Sequence, residues 1–292
     1  MTVVETIQKT LPTLSTSERR VAQALFATNL VAGLDTIARL AERAQVSGPT
    51  VLRFASKAGY SSYPDFQDAL RKDLEERVSS PLQLFESRAP KPARTGLVQS
   101  ARDTFQQGLD RTFDRVIQSD FEAAVDLLAD RSRTVYLAGG RFSHHLAEIL
   151  WGHLFQLRAN AHILRAGVLS PRDQLLDVKK RDVLVAYDLR RYQSDTVELA
   201  AIAKRARATI ILFTDQWLSP IARQAHYVFS CDVEAPSPYD SLVPCLALTE
   251  AVIAGVTERC GDSGRGRVTN LERLRAGSGA HEVSKEVEDD DG

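Results

Sequence analysis

Apolar positions in the first eighty residues recur at intervals of three and four, the period of a helix with one buried face. Val21, Ala22, Leu25 and Phe26 make one such stripe, opened by the S-x-x-E capping box of Ser15 and Glu18. Ile37, Leu40 and Ala41 make a second, Val51, Phe54, Ala55 and Ala58 a third, and Phe66, Leu70, Leu74 and Val78 a fourth. Helical spacing returns at Leu97, Ala101, Phe105 and Leu109 and again around Phe121, Ala124, Val125 and Leu128. From Thr134 the pattern changes to short β-branched runs that alternate with helical ones: TVYLA, AHILR from Ala161, DVLVAYD from Asp182, TIILFTD from Thr209 and HYVFSC from His226. Helices are expected around Leu146–Leu154, Val197–Lys204 and Leu242–Val256. Alternation of this kind predicts an α/β domain, a parallel sheet of about five strands flanked by helices, behind an all-α domain.

The second and third stripes lie too close together for a strand between them, so they predict two short helices joined by a tight turn. Ser47 is placed to N-cap the latter helix, Pro49 is tolerated in its first turn, and Gly59 supplies a stop. With Val51, Phe54, Ala55 and Ala58 facing the core, Thr50, Arg53 and Lys57 are expected on the opposite face beside Ser47. Arginine can pair with guanine through two hydrogen bonds, threonine can meet a base edge, and lysine can neutralise a phosphate. The pattern thus fits the recognition helix of a helix-turn-helix better than its alternative, the polar face of a solvated helix.

The stretch Ser79–Gly96 contains Pro81, Pro90 and Pro92 among Ser, Arg and Lys, and reads as a semi-stiff linker. The resulting division is 1–78 for the helix-turn-helix domain, 79–96 for the linker, 97–260 for the sheet domain and 261–292 for a flexible tail. The chain of 292 residues accommodates this, and its formal net charge of −1 gives no global attraction to nucleic acid. Local charge changes that picture: between Thr36 and Tyr60, Arg39, Arg43, Arg53 and Lys57 stand against Glu42 alone, while acidic residues gather in EVSKEVEDDDG at the C-terminus. Cys231, Cys245 and Cys260 are widely spaced, with no C-x-x-C pair, which fits reduced thiols and neither a disulfide framework nor a metal site. No run has the length of a membrane span and no secretory signal opens the chain, so the expected location is the cytoplasm.

Two strand-to-helix turns carry candidate binding chemistry. In AGGRFSHH, Gly139 and Gly140 let backbone N–H groups approach an anion, and Ser143 opens the next helix. In YDLRRYQSDT, Arg190, Arg191, Ser194 and Thr196 stand at the start of another. Both turns end parallel strands, where open sheets bind ligands. A paired glycine alone also suits any tight turn. His144 and His145 are read as structural, because neighbours on a helix point apart. Asp188 and Asp215 end adjacent strands and are equally suited to sugar hydroxyls or to capping. No metal-ligand spacing, nucleophile elbow or Walker lysine occurs.

The segments LSTSERRVAQALF, TIARLAERAQVSGPTVLRFASKAGYSSYPDFQDALRKDL, AGGRFS and RRYQSDTVELA together resemble the RpiR family of bacterial transcription regulators, over nearly the whole chain to about Cys260. The resemblance implies an N-terminal helix-turn-helix domain and a sugar isomerase (SIS) domain that in relatives binds phosphorylated sugars, usually without catalysis. It places Ser47, Thr50, Arg53 and Lys57 on the recognition helix, and Ser143 and Thr196 at hydroxyls that hold the phosphate. Many SIS domains carry an S-x-S-G-x-T turn; this chain has Asp188 near the first serine position, Arg190 and Arg191 within the turn, and no glycine there. Asp188 beside a phosphate is unfavourable unless a partner such as Arg190 or Arg191 offsets it.

What the resemblance implies is a cytoplasmic regulator that binds double-stranded operator DNA as a homodimer or dimer of dimers and senses a small anionic effector, a sugar phosphate above all. It needs no cofactor. The alternative is a phosphosugar ketose-aldose isomerase whose helical domain serves assembly, with Glu148, Glu250 or a histidine as its base.

Overall fold

The computed structural model describes residues 2–28, 30–78, Phe85 and 96–276. The Pro-containing linker, apart from Phe85 and Gly96, and the acidic tail from Gly277 onward lie outside the described residues.

Five helices form the N-terminal domain: α1 (Val3–Thr10), α2 (Thr16–Ala27), α3 (Ile37–Ala44), α4 (Gly48–Lys57) and α5 (Tyr63–Val78). The capping box at Ser15 and Glu18 is made in both directions, as the S-x-x-E spacing requires. Its core is built from the expected stripes, with Val21, Leu25, Leu40, Val51, Phe54, Phe66 and Leu70 at or below 1 % exposure. Phe54 and Phe66 meet edge to face at 6.1 Å, and each fully buried side chain of this size is worth about 1.5–3 kcal/mol. Gln45 turns the chain between α3 and α4 in the left-handed region (φ 54°). Gly59 (φ 88°) does the same after α4, and Tyr60 N–H then closes back on the Ala55 carbonyl at 3.1 Å.

The second domain opens with α6 (Leu97–Phe113) and α7 (Gln118–Ala129) and continues through β1 (Val135–Gly139), α8 (His144–Leu157), β2 (Ala161–Ile163), β3 (Val183–Asp188), α9 (Ser194–Arg205), β4 (Thr209–Asp215), β5 (Tyr227–Cys231) and α10 (Val243–Ala276). The five strands are parallel in the order β2-β1-β3-β4-β5. All six residues of β3 are buried, as expected of a parallel sheet covered on both faces. Val183, Val185 and Tyr187 point to the core shared with α7, α8 and α10, while Leu184 and Ala186 point to the core under α9. The order reverses at β1, which has β2 on one side and β3 on the other, and the C-terminal ends of β1 and β3 are where this topology opens a crevice.

One boundary differs from the sequence expectation. Residues 261–276, assigned above to a flexible tail, continue α10 beyond a kink at Gly261 (φ 47°, ψ −134°). Their apolar positions are sparse, so no stripe announces the helix. Tertiary contact holds it: Arg267 donates to the Phe155 carbonyl at 2.8 Å and lies 5.4 Å from the centre of the Phe155 ring.

Candidate functional site

The α3–α4 hairpin presents Ser47, Pro49, Leu52, Arg53, Ser56 and Lys57 to the surface. Ser47 occupies the N-cap position but does not cap with its side chain; its hydroxyl lies 3.0 Å from that of Thr50. Thr50 departs from the expected outward face: it is buried at 4 % exposure and accepts a hydrogen bond from Arg53 Nη2 at 3.0 Å. The core stripe of α4 is wider than the spacing of Val51 and Phe54 suggests, and the first turn tilts into it.

Lys57 also differs from the expected phosphate contact. Its ammonium lies 2.8 Å from Glu18 Oε2, a carboxylate with only 3 % exposure. That hydrogen bond, assisted by the Ser15 cap, lowers the Glu18 pKa to about 2 against the opposing effect of burial. Lys57 therefore staples α4 to the start of α2. Arg53 remains exposed, as do Arg39 and Arg43 on α3, and Leu52 at 46 % exposure adds an apolar contact that the charge pattern gave no reason to single out.

At the sheet, the two candidate turns converge. Gly139 and Tyr187 are register partners, the Ser143 hydroxyl donates to the Tyr187 carbonyl at 2.7 Å, and Gly140 N–H donates to Ser143 Oγ at 2.9 Å. A Cβ at Gly139 would come within 2.6 Å of the His144 nitrogen, so α8 leaves the sheet as closely as it does only because of that glycine. Gln193, which sequence reasoning did not single out, links the turns: its Oε1 would lie 3.3 Å from a Cβ at Gly140. Thr196 is buried at 3 % in the first turn of α9, whereas Arg191 and Ser194 are exposed at its mouth.

Arg190 is turned inward. Its guanidinium is gripped by Asp240 through two contacts, one of 3.0 Å from Nε, and lies 4.7 Å from the centre of the Trp217 ring. Asp188 accepts from the Ser219 hydroxyl and from Gln193 N–H at 3.3 Å. Asp215 accepts from the Arg190 N–H, from Tyr192 Oη at 2.7 Å and from Trp217 N–H at 2.9 Å; burial raises its pKa. Both strand-end carboxylates thus bind neighbouring chain. His144 and His145 share Glu148, at 3.5 and 3.4 Å, so the adjacent rings do reach one group despite pointing apart.

Comparison with known proteins agrees with this architecture. Residues 1–77 match the helix-turn-helix domain of the rpiR family, and residues 127–255 match the SIS domain. The chain belongs to the RpiR family. It is a helix-turn-helix transcriptional regulator with an SIS domain. It is 27 % identical over 280 residues to the HTH-type transcriptional regulator HexR of Escherichia coli, covering 94 % of this chain and 93 % of that one. HexR of Pseudomonas aeruginosa is 27 % identical over 266 residues, covering 89 % and 90 %. Among solved structures, the Vibrio vulnificus NanR protein complexed with ManNAc-6P shares the fold at a TM-score of 0.54 and 16 % identity, over 94 % of this chain and 98 % of its own. The sugar isomerase domain of an RpiR transcription factor from Sphaerobacter thermophilus aligns at a TM-score of 0.56 and 23 % identity, over 61 % of this chain and 99 % of its own. No helix of the described residues is long and apolar enough to cross a membrane.

Proposed function

We propose that this regulator binds an inverted-repeat operator as a homodimer through α4, and that a phosphorylated sugar or related anionic metabolite in the β1–β3 crevice controls that binding. The carrying observation is the convergence of the Gly139–Ser143 and Arg190–Thr196 turns at the switch point of a sheet in a chain that also displays Arg53. In the crevice, the first turn of α9 and the hydroxyls of Ser194 and Thr196 offer donors to a phosphate and Arg191 offers charge, while Gly140 and Ser143, bonded to each other and to Tyr187, shape the turn beside them. The sugar phosphate bound by the Vibrio vulnificus protein supports this ligand class. On DNA, Arg53 reads a base edge with Ser47 beside it. Thr50 steadies Arg53 from below, Lys57 fixes the helix rather than neutralising a phosphate, and Arg39 and Arg43 take the phosphate role.

The test is a titration of the purified protein against its own upstream DNA at several salt concentrations, with and without a panel of sugar phosphates. Arg53→Ala is expected to lose about 1–3 kcal/mol of operator affinity and to relax preference at one base position. Operator affinity unchanged in Arg53→Ala, or indifferent to every compound of the panel, counts against the reading face and the effector role respectively.

A further inference from the structure

The helical domain rests on the sheet domain along a seam between α1–α2 and the loop that follows β4. Leu218 of that loop packs with the helical core, and Thr2 Oγ1 approaches the Gln216 carbonyl at 3.5 Å. Glu5 of α1 is ion-paired with Arg115, which follows α6. A cavity of about 240 Å³ remains in the seam, lined by Val4, Phe26 and Leu30 on one side and Trp217, Leu218 and Arg223 on the other.

Two features show that this closure is poised. Among the described residues, Arg115 Nη1, Gln216 Oε1 and Trp217 Nε1 are buried side-chain polar atoms without a hydrogen-bond partner, and all three belong to the seam. Such atoms would regain partners in water if the seam opened. Leu218 moreover holds φ 58°, a backbone region unfavourable for a γ-branched residue with no glycine's freedom, and it is kept there by its packing.

The same loop is wired to the effector crevice. Asp188, beside the crevice, holds the Ser219 hydroxyl. Ser219 N–H donates to Thr214 Oγ1 at 3.0 Å, and that hydroxyl donates to the Asp188 carbonyl at 2.8 Å. Asp215 ties Trp217 N–H to the Arg190 N–H of the effector turn, and the Arg190 guanidinium covers the Trp217 ring.

We propose that residues 216–219 form the hinge through which the effector turn sets the placement of the helical domain, and hence operator affinity. This rests on the regulator reading given above. An anion at the first turn of α9 stands next to Asp188, which there accepts the Gln193 N–H, and like-charge repulsion acts on the carboxylate that secures Ser219. Loosening Ser219 lets the strained Leu218 leave the helical core. The exposed residues of α4 do not line the seam cavity, so opening does not uncover them; it frees their spacing from that of the second head, on which binding to two half-sites depends.

The experiment compares operator binding of the full chain with that of Asp188→Asn, Leu218→Gly and the double variant. All are made in a Trp151→Phe background, which leaves Trp217 as the one tryptophan of two. Glycine at 218 suits the backbone while removing the apolar anchor. Each single variant is expected to weaken operator binding about fivefold and to red-shift Trp217 emission, and the double variant to be no weaker than the weaker single, because both act through one loop. Arg115→Gln, which loosens the seam from its other end, replaces Leu218→Gly if that variant does not unfold cooperatively. Operator affinity equal to the parent in either single variant, effects that multiply, or unshifted emission in Asp188→Asn would overturn the hinge and leave the regulator reading intact. Absence of selective operator binding by the parent would overturn both.

Discussion

Glu18 carries two jobs at once, since it completes the N-terminal cap of α2 and receives Lys57 from α4. With its folded pKa lowered to about 2 from an ordinary value near 4.5, it binds fewer protons folded than unfolded in acid. Its stabilisation is therefore complete above about pH 5 and is lost as pH falls through 4.5 toward 2. Lys57 is 44 % exposed, so water and salt moderate the pair. Glu18→Gln should be less stable than the parent at neutral pH and converge with it in acid; parallel stability curves between pH 6 and pH 2 would show that the pair contributes nothing. Gly139 is equally specific. Gly139→Ala drives a methyl against the His144 backbone, and we expect a stability loss of about 2–4 kcal/mol in chemical denaturation, with the β1–α8 turn displaced. An unperturbed variant would mean that α8 can shift without harm.

At the scale of elements, Arg158 is a polar tie between the helices and the edge of the sheet. It is fully buried at the end of α8 and donates to the carbonyls of Leu128 at 2.6 Å, of Ala159 at 3.0 Å and of Arg133. The guanidinium thereby satisfies carbonyls where α7 ends and the chain turns into β1, and its burial lowers its own pKa. Arg158→Met keeps the volume and strands those carbonyls, at an expected cost of about 2–5 kcal/mol in unfolding free energy. A loss below about 1 kcal/mol would indicate that water takes over the carbonyls. The extension of α10 past Gly261 belongs to this scale too, because Arg267 and Phe155 hold together a segment with little helical patterning of its own.

For the whole molecule, a net charge of −1 leaves DNA attraction to a local patch. Arg39 and Arg43 are exposed on α3, so Arg39→Ala and Arg43→Ala should each weaken binding similarly across DNA sequences and lower the slope of log affinity against log salt by about one. Lys57→Ala should act chiefly through stability, since its ammonium is engaged with Glu18. A full unit of salt slope lost in Lys57→Ala would restore the phosphate contact that its spacing suggests.

The sequence by itself determined the two-part architecture, because a helical period and short β-branched runs are local properties that the chain carries without reference to its neighbours. It also determined the capping box at Ser15, the stop at Gly59 and the turn chemistry of Gly139, each set within a few residues. The family followed from segments spread along the chain. Only the tertiary structure decided which polar groups stay available. Thr50 is buried, Lys57 meets Glu18 and Arg190 meets Asp240, through partners 39 and 50 positions away, beyond the reach of any periodic argument. The role of Gln193 between the two turns, and the seam that links residues 214 positions apart at Thr2 and Gln216, likewise exist only after packing. Pairing between distant groups is set by burial, which removes water as the competing partner, and burial is a property of the fold.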